Sequence, residues 1–444
     1  MSFLIKLFQS YFLDERPNGA VIADIDLNLN PKITVERLKN HKFTKYEVLN
    51  YSTLAFFFTI SFFLNQLNIF IKLGIVSLYI TSLLIPFTSQ FFIYGSPVLA
   101  WVAFLFNSKN LDAAFRPPIS VKVLPAIETI LYGDNLSQLL ATSTAPILDI
   151  LAWLPYGLIH FSFPFVTAAL IFLWGPPTAL RSFGFAFGYM NLIGVVTQVL
   201  FPAAAPWYKI LHGLDPANYS MLGSPGGLAR IDEILGFDMY TTAFSKTSPV
   251  VFGAFPSLHS GSASMDALFL FWLFPKASPI ILLYVIWLWW STMYLTHHYF
   301  FDLIAGSFLS FVVFQFTKYN YLPVINYNYK NRWSYGSIIK PNIWNSDPLS
   351  LSPEIDVENQ VFSSQRAINN VELNVIQRQS RSNIFDDSEI TSPALSVFEN
   401  DSEVPRSFSR ASNNSQTSIE SQFDMSIPVS ASSNLQPGGK SRLD

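Results

Sequence analysis

Residues 255–316 read FPSLHSGSASMDALFLFWLFPKASPIILLYVIWLWWSTMYLTHHYFFDLIAGSFLSFVVFQF, the part of the chain that indicates its architecture most clearly. It contains three apolar runs, 262–274, 280–296 and 303–316, separated by tight breaks. Crossing the hydrocarbon core takes about 20 apolar residues, and fewer where helices pack against each other. The three runs are therefore predicted to be successive membrane helices.

The rest of the chain has the same character. Half of its 444 residues are hydrophobic and only 13% are charged, too few to cover a soluble globule of this size. Further spans are predicted at 51–70, 73–93, 98–106, 151–174 and 183–201. The predicted fold class is an all-α, polytopic membrane helix bundle of six to eight spans.

Three parts are predicted along the chain. Residues 1–45 form a cytosolic segment whose start is broken by Lys6, Gln9 and Ser10, as in an interfacial amphipathic helix rather than a signal peptide. Residues 46–323 form the multispan membrane domain. Residues 324–444 become rich in Ser, Asn, Glu and Gln, and such a polar tail is predicted to be largely disordered and cytosolic.

The last three helices define two faces of the membrane. His259 precedes the first of them and His298 follows the second, so both histidines are predicted to lie on one face. Lys276 and Lys318 lie on the other, which the positive-inside rule makes cytosolic. The histidines are therefore predicted to face the lumen or the exterior.

Composition also excludes several classes of site. A net charge of −3 gives no reason to expect nucleic-acid binding, and without Cys there is neither a disulfide nor a thiolate-bound metal. No cluster of metal ligands is apparent in the sequence. We expect no cofactor and no metal.

The spacing of His298 and Asp302 indicates chemistry. Four residues apart on a helix, the imidazole and the carboxylate would share one face, with the carboxylate fixing the tautomer and stabilising the charged ring. The residue four positions after His297 is Phe301, so His298 is the better nucleophile. The alternative, for any one histidine here, is a structural residue at the membrane interface.

A second element surrounds His259. Pro256 and Ser257 lead into an apolar helix, so backbone N–H groups and the hydroxyls of Ser257 and Ser260 are predicted to form an anion site. His259 beside them could protonate a departing alkoxide. His160, within an apolar run, either lines a lipid or inhibitor pocket or packs with a hydrogen-bonded ring.

These residues carry a family resemblance. Pro256-Ser257-x-His259, followed by Ser291-x6-His298-x3-Asp302, resembles the second and third motifs of the phosphatidic acid phosphatase type 2 superfamily. FGAFPSLHSG, WLWWSTMYLTHHYF, FPAAAPWYK and GSPGGLARID are similar to the catalytic subunits of fungal inositol phosphorylceramide synthases, the targets of aureobasidin A. The resemblance covers roughly residues 42–323.

The resemblance implies a nucleophile at His298, its aspartate at Asp302 and an acid/base at His259. It also implies phosphatidylinositol and ceramide as substrates, a small membrane regulatory subunit and residence in the Golgi membrane. The chain departs from the superfamily at Thr292, where Arg is usual, and at Leu258, where Gly is usual. Thr292 removes one expected phosphate-binding cation.

Other cations are candidates for that role. Lys109-x6-Arg116 has the spacing of the superfamily's first motif, although an ordinary basic loop reads the same way. Lys209, Arg230 and Lys246, in the long loop before His259, are alternatives.

Two other functions stay open at this level. A lipid phosphate phosphatase would use the same adduct with water as acceptor. A non-catalytic lipid transporter or binding scaffold would use the histidines only to hold a headgroup.

Overall fold

The computed structural model describes residues 2–17, 22–247 and 249–339. Within these ranges the regular structure is helical, apart from two isolated bridges that join Ser120, Ala203 and Gly253. The α-helices in chain order are α1 (Ser2–Phe8), α2 (Pro31–Asn40), α3 (Lys45–Leu64), α4 (Ile69–Leu84), α5 (Pro86–Ser108), α6 (Val123–Tyr132), α7 (Leu136–Ala141), α8 (Pro146–Trp153), α9 (His160–Trp174), α10 (Ala179–Leu200), α11 (Pro206–His212), α12 (Leu228–Leu235), α13 (Met239–Thr242), α14 (Leu258–Leu273), α15 (Ser278–Tyr294) and α16 (Phe300–Asn320).

Six stretches of the described chain are long and apolar enough to cross a membrane. They are Lys45–Leu64, Pro86–Ser108, Pro146–Trp174, Ala179–Leu200, Pro275–Tyr294 and Phe300–Asn320. Helices α8 and α9 form one of them, joined by a π-helical turn over Leu154–Ile159. The 16-residue helices α4 and α14 are shorter. The predicted polytopic helix bundle is confirmed, and the chain is an integral membrane protein.

One predicted boundary is wrong. The spans predicted at 73–93 and 98–106 imply a break between residues 93 and 98, yet α5 continues through Pro97 and the chain breaks instead before Pro86. Pro86 takes the first helical turn, where a missing N–H is tolerated. Pro97 is accommodated by packing, because a Cβ on Gly188 of α10 would lie 2.6 Å from the Cβ of Pro97.

Helix α14 lies at the centre of the bundle. It packs against α9, α10, α15 and α16, and 11 of its 16 residues are buried. Small residues allow this close approach: a Cβ on Gly306 of α16 would lie 2.2 Å from the Ser257 carbonyl oxygen. The Ser310 hydroxyl also donates to the Gly261 carbonyl at 2.6 Å. Close packing thus fixes α14 against α16.

The two ends of the described chain, near Phe12 and near Trp333, lie against each other. The ring of Phe12, just after α1, lies 5.5 Å from that of Trp333 and 5.8 Å from that of Trp174. Asn331 donates to the Tyr11 carbonyl at 2.9 Å. Residues 324–339, which we assigned to the polar tail, therefore contact the N-terminal segment, and the rest of that predicted tail lies outside the described residues.

Candidate active site

Helix α14 begins at Leu258 because Ser257 caps it. The Ser257 hydroxyl accepts from the Ser260 N–H at 3.3 Å. The Ser257 N–H donates to the Asp302 carbonyl at 3.1 Å, which ties the start of α14 to α16. His259, the second residue of α14, is thereby placed where α16 begins.

The two serine hydroxyls already have partners in the protein. Besides the cap of Ser257, the Ser260 hydroxyl donates to the Leu303 carbonyl at 2.6 Å and lies 2.8 Å from the Ser307 hydroxyl. Ser257 and Ser260 are both fully buried. Their proposed contact with phosphate stays a prediction, and the contacts present hold helices together.

His298 lies in the turn between α15 and α16. The N–H groups of His297 and His298 donate to the Thr292 carbonyl at 3.0 and 3.3 Å. Thr296 takes a left-handed conformation with φ of 65°, and its carbonyl accepts from the Trp207 N–H at 3.0 Å. The turn is therefore held both by α15 and by the loop that carries α11.

Asp302, the third residue of α16, lies behind His298. Its Oδ1 is 3.2 Å from Nδ1 of His298, and its Oδ2 accepts from the Tyr299 N–H at 3.1 Å. The pair comes together as the sequence suggested, but the stated reason is wrong, because His298 precedes the helix and shares no helical face with Asp302. The carboxylate instead reaches back to the turn, as a helix cap does.

The side chains of His259 and His298 meet directly. Nδ1 of His259 lies 3.1 Å from Nε2 of His298. Since Asp302 occupies the Nδ1 side of His298, Nε2 is the nitrogen available for chemistry. His259 is half-buried, whereas His298 and Asp302 are buried. Two rings in this arrangement can exchange a proton, and the inner one can act as a nucleophile.

A stack of rings supports the pair, and the sequence analysis missed its central member, Tyr156. The Tyr156 ring is nearly parallel to those of His259 and His297, with centroids 4.6 and 5.3 Å away. His160, whose role was open, lies with its ring 4.8 Å from that of His259. No sequence pattern marks Tyr156, because the stack forms only when the π-helical turn before α9 meets α14.

His297 has a different environment from its neighbour. Its Nε2 lies 3.0 Å from the Pro225 carbonyl oxygen, and its ring packs between Tyr156 and Phe244. Burial, with repulsion from His298, lowers the pKa of His297 to about 3. The ring is therefore neutral at physiological pH and donates to Pro225, a contact that holds the loop before α12 against the turn.

Glu128 of α6 is a second residue that the sequence analysis missed. It is fully buried, and its Oε1 accepts from the Phe300 N–H at 2.5 Å, at the start of α16. Burial raises the pKa of Glu128, and the nearby Asp302 carboxylate acts in the same direction. A lone carboxylate in the apolar run VLPAIETILY was the available signal.

Arg116 of the Lys109–Arg116 motif is engaged by its own loop. Its guanidinium donates to the carbonyls of Lys109 and Leu111 and lies 4.8 Å from the centre of the Tyr219 ring. Lys109, Arg116 and Gln198 line a cavity of about 180 Å³. The motif therefore shapes a cavity, while its contact with substrate phosphate stays a prediction.

The other candidate cations also have protein partners. Lys209 donates to the side-chain oxygen of Asn135, and Arg230 lies 2.6 Å from the buried Asp149 carboxylate. The side chain of Lys246 lies outside the described part of the chain. Across the described residues, none of these cations hydrogen-bonds to either histidine of the pair.

The chain is similar to a known protein family over much of its length. Residues 123–316 match the PAP2 superfamily. The chain is 50% identical over 416 residues to the inositol phosphorylceramide synthase of Candida albicans, covering 93% of this chain and 84% of that protein.

Two other fungal proteins are similar. The inositol phosphorylceramide synthase catalytic subunit AUR1 of Saccharomyces cerevisiae is 50% identical over 382 residues, covering 86% of this chain and 94% of that protein. That of Schizosaccharomyces pombe is 43% identical over 323 residues, with 72% and 76% covered. No solved structure matches the chain at a significant level. The chain therefore belongs to the inositol phosphorylceramide synthase family within the PAP2 superfamily.

Proposed function

We propose that this protein is an inositol phosphorylceramide synthase, a phosphotransferase that moves inositol phosphate from phosphatidylinositol to the primary hydroxyl of ceramide. Two relatives are named for the product, inositol phosphorylceramide. Sequence identity of 50% over most of the chain supports the same reaction here. One observation carries the chemistry: Nε2 of His298 is 3.1 Å from His259 and has Asp302 behind its other nitrogen.

In the first step, Nε2 of His298 attacks the phosphorus of phosphatidylinositol. The P–N bond forms as the bond between phosphorus and the glycerol oxygen breaks, and protonated His259 gives that oxygen its proton. Diacylglycerol leaves, and inositol phosphate stays on His298. The Asp302 carboxylate stabilises the positive charge that develops on the ring.

In the second step, neutral His259 takes the proton from the primary hydroxyl of ceramide. The ceramide oxygen attacks phosphorus, the P–N bond breaks, and inositol phosphorylceramide leaves with His298 free. His259 ends protonated, as it began. The acceptor decides the outcome, since water at the same adduct would give a lipid phosphate phosphatase, and excluding water favours the lipid.

The substrate has to separate the two rings. An in-line displacement places phosphorus and the leaving oxygen between the two reacting nitrogens, which then lie roughly 7 Å apart. His298 is fixed by the Thr292 carbonyl and Asp302, whereas His259 is half-buried and held on its open side by ring stacking. We expect His259 to be the ring that moves.

The site is proposed to face the lumen of the Golgi membrane, with a small membrane regulatory subunit bound. Positive-inside placement of Lys276 and Lys318 supports the face. Two relatives are named catalytic subunits, which supports a partner for those proteins and, by family membership, for this one.

Transfer of labelled inositol phosphate from phosphatidylinositol to short-chain ceramide in detergent micelles tests the proposal. We expect His298→Ala and His259→Ala to lose at least 10³-fold in rate, since each removes a group that acts in the transition state. Asp302→Asn is expected to lose about 10²-fold or more. His297→Asn serves as the neighbouring control and is expected to keep most of the activity.

Four outcomes decide between the proposed transferase and its alternatives. Lipid product from the intact protein and from His297→Asn alone supports the transferase. Water-soluble inositol phosphate would indicate a hydrolase, and substrate binding without turnover would indicate a lipid scaffold. Transfer that survives His298→Ala would remove His298 as the nucleophile.

A further inference from the structure

The acceptor pattern for N-linked glycans, Asn-x-Ser with x other than Pro, occurs at five places in the sequence. The asparagines of these patterns are Asn50, Asn135, Asn218, Asn400 and Asn413. The last two lie outside the described residues, in the segment predicted to be cytosolic. A glycan is bulky and hydrophilic, so the asparagine that carries it has to be exposed and outside the membrane. The other three asparagines differ in both respects.

Asn218 lies in the loop between α11 and α12. Asn218 and Ser220 are exposed, whereas Tyr219 between them is half-buried. The Tyr219 hydroxyl donates to the Pro117 carbonyl at 2.6 Å, and the Arg116 guanidinium lies 4.8 Å from the centre of the Tyr219 ring. Because the middle residue of the pattern is held against the protein, the residues on either side of it are presented to solvent.

The amide nitrogen of Asn218 is available for modification. Oδ1 of Asn218 accepts from the Ser220 N–H at 3.0 Å and from the Ser220 hydroxyl at 2.5 Å. Nδ2, the atom to which an N-linked sugar is attached, makes no hydrogen bond to the described part of the chain. The two side chains that the acceptor pattern requires are therefore exposed and lie next to each other.

Asn135 is the opposite case within the same chain. It is 1% exposed, and its Nδ2 donates to the Pro125 carbonyl at 3.0 Å. Its Oδ1 accepts from Lys209. The hydroxyl of Ser137, the third residue of this pattern, donates to the Met293 carbonyl at 2.7 Å. A glycan on Asn135 would break these contacts and is incompatible with the fold.

Asn50 is unsuitable for another reason. It belongs to α3, which is long and apolar enough to cross the membrane, and it lies near the end of α3 that follows the predicted cytosolic segment. Its Oδ1 accepts from the Tyr189 hydroxyl at 2.6 Å, which ties α3 to α10. Among the described residues, the pattern at Asn218 is therefore the one that combines exposure with a position outside the spans.

Asn218 lies on the same face of the membrane as the two histidines of the pair. The connection from α10 to α14 carries Asn218 and leads directly to His259, and its described residues form no helix of spanning length. In the same connection, the Trp207 N–H donates to the Thr296 carbonyl at 3.0 Å, in the turn that carries His298. A lumenal reaction centre therefore places Asn218 in the lumen as well.

We propose that Asn218 carries an N-linked glycan and that Asn135 does not. This inference rests on the proposed lumenal face and goes beyond the proposed transferase function. The glycan comes from a lipid-linked oligosaccharide pyrophosphate. A bond forms between Nδ2 of Asn218 and C1 of the first sugar, the bond between C1 and the pyrophosphate oxygen breaks, and one amide proton is released as the lipid pyrophosphate leaves.

The test compares the protein, produced in a fungal host, before and after digestion with peptide-N-glycosidase. We expect digestion to increase the electrophoretic mobility of the intact protein and of Asn135→Gln. Asn218→Gln is expected to run at the position of the digested protein and to stay there after digestion. Mass spectrometry of the peptide that contains Asn218 locates the glycan.

The third residue of the pattern supplies a matched control. Ser220→Ala removes the hydroxyl without changing Asn218 and is expected to lose the glycan, whereas Ser220→Thr preserves the acceptor pattern and is expected to keep it. A mobility shift that survives Asn218→Gln, or that disappears in Ser220→Thr or in Asn135→Gln, would overturn the proposal.

The face of the membrane is checked separately. The chain contains no cysteine, so Asn218→Cys provides a single thiol. In sealed vesicles with the cytosolic side outward, a maleimide that cannot cross membranes is expected to label this thiol only after permeabilisation. An intact protein without a glycan would overturn the proposal, and labelling in sealed vesicles would then trace the error to the assigned face.

Transfer activity distinguishes this assignment from the proposed function. Asn218→Gln is expected to transfer inositol phosphate to ceramide within about twofold of the intact protein, because the substitution is exposed and touches neither histidine of the pair. Transfer by an intact protein that carries no glycan would contradict the assignment of Asn218 alone. A glycan on an intact protein that does not transfer would contradict the proposed function alone.

Discussion

The turn that carries His298 and the loops that carry the candidate cations use their polar groups differently. In the turn, backbone hydrogen bonds fix the chain, and Nε2 of His298, the proposed nucleophile, meets His259. In the connecting segments, the charged groups themselves hold the structure, as Arg230 does with Asp149 and Arg116 with nearby carbonyls. These charged residues therefore serve the scaffold, while the contact between the two histidines depends on how closely two helices approach.

The largest effect on stability and transfer is expected from a substitution at Gly306, where α14 and α16 lie closest together. Gly306→Ala would place a Cβ 2.2 Å from the Ser257 carbonyl oxygen, so α14 and α16 have to move apart. Overpacking of this kind costs about 1–3 kcal/mol, and the shift also alters the distance between His259 and Asp302. We expect a lower unfolding temperature and at least a tenfold loss of transfer, measured on purified protein in detergent.

Gly74→Ala is the matched control in α4. A Cβ there would have nothing within 4 Å, so stability and transfer are expected to stay near those of the intact protein. If Gly74→Ala and Gly306→Ala lost similar amounts of stability and transfer, the close approach of α14 and α16 at Gly306 would not be what positions the histidines.

The Arg230–Asp149 pair tests the scaffold role of the loop cations. Arg230→Gln leaves the buried Asp149 carboxylate without its ion-pair partner, and we expect a loss of about 1–3 kcal/mol in the free energy of unfolding. Adding Asp149→Asn removes that charge and is expected to restore much of the stability and the transfer. Arg16→Gln, in a pair whose side chains are about one-third exposed, is expected to lose less than about 1 kcal/mol.

Recovery in the double variant is the deciding observation. If stability returns but transfer does not, Arg230 contacts the substrate phosphate. Arg230 would then serve substrate binding and not only the scaffold.

His297 gives the smallest effect at neutral pH, because its influence on stability appears only in acid. Because burial lowers the pKa of His297 to about 3, the unfolded chain gains a proton below about pH 6.5 that the folded state lacks. Stability is therefore lost as the pH falls from about 6.5 towards 3, by up to about 1.4 kcal/mol per pH unit.

His297→Gln keeps a donor for Pro225 and removes this titration. The unfolding temperature of His297→Gln, measured between pH 7 and pH 4.5, is expected to fall less than that of the intact protein. An equal fall in both proteins would assign the acid sensitivity to another group.

Several features of the fold could be predicted from local sequence. The lengths of the apolar runs predicted the spans, because the thickness of the membrane sets the length of a helix. The order of His259, an apolar run, Lys276, a second run and His298 placed both histidines on one face. The motif Pro256-Ser257-x-His259 predicted the start of α14, since a serine cap acts locally.

Other features depended on contacts between distant parts of the chain. Helix α5 continues through Pro97, which packs closely against Gly188 about 90 residues further on, a contact that no local pattern shows. Glu128 meets the start of α16 at a separation of 172 residues. From the sequence, each candidate cation could equally have been free to bind substrate phosphate. The structure pairs several of them with groups on distant segments, which the sequence does not show.

Hydrophobic length and motif spacing are local properties, so they were enough to predict that this chain crosses the membrane and to propose which residues carry its chemistry. How His259 meets His298, and how Tyr156 and Glu128 lie beside them, could be seen only in the folded protein. These depend on helix packing, in which small residues such as Gly306 set distances that no single segment encodes.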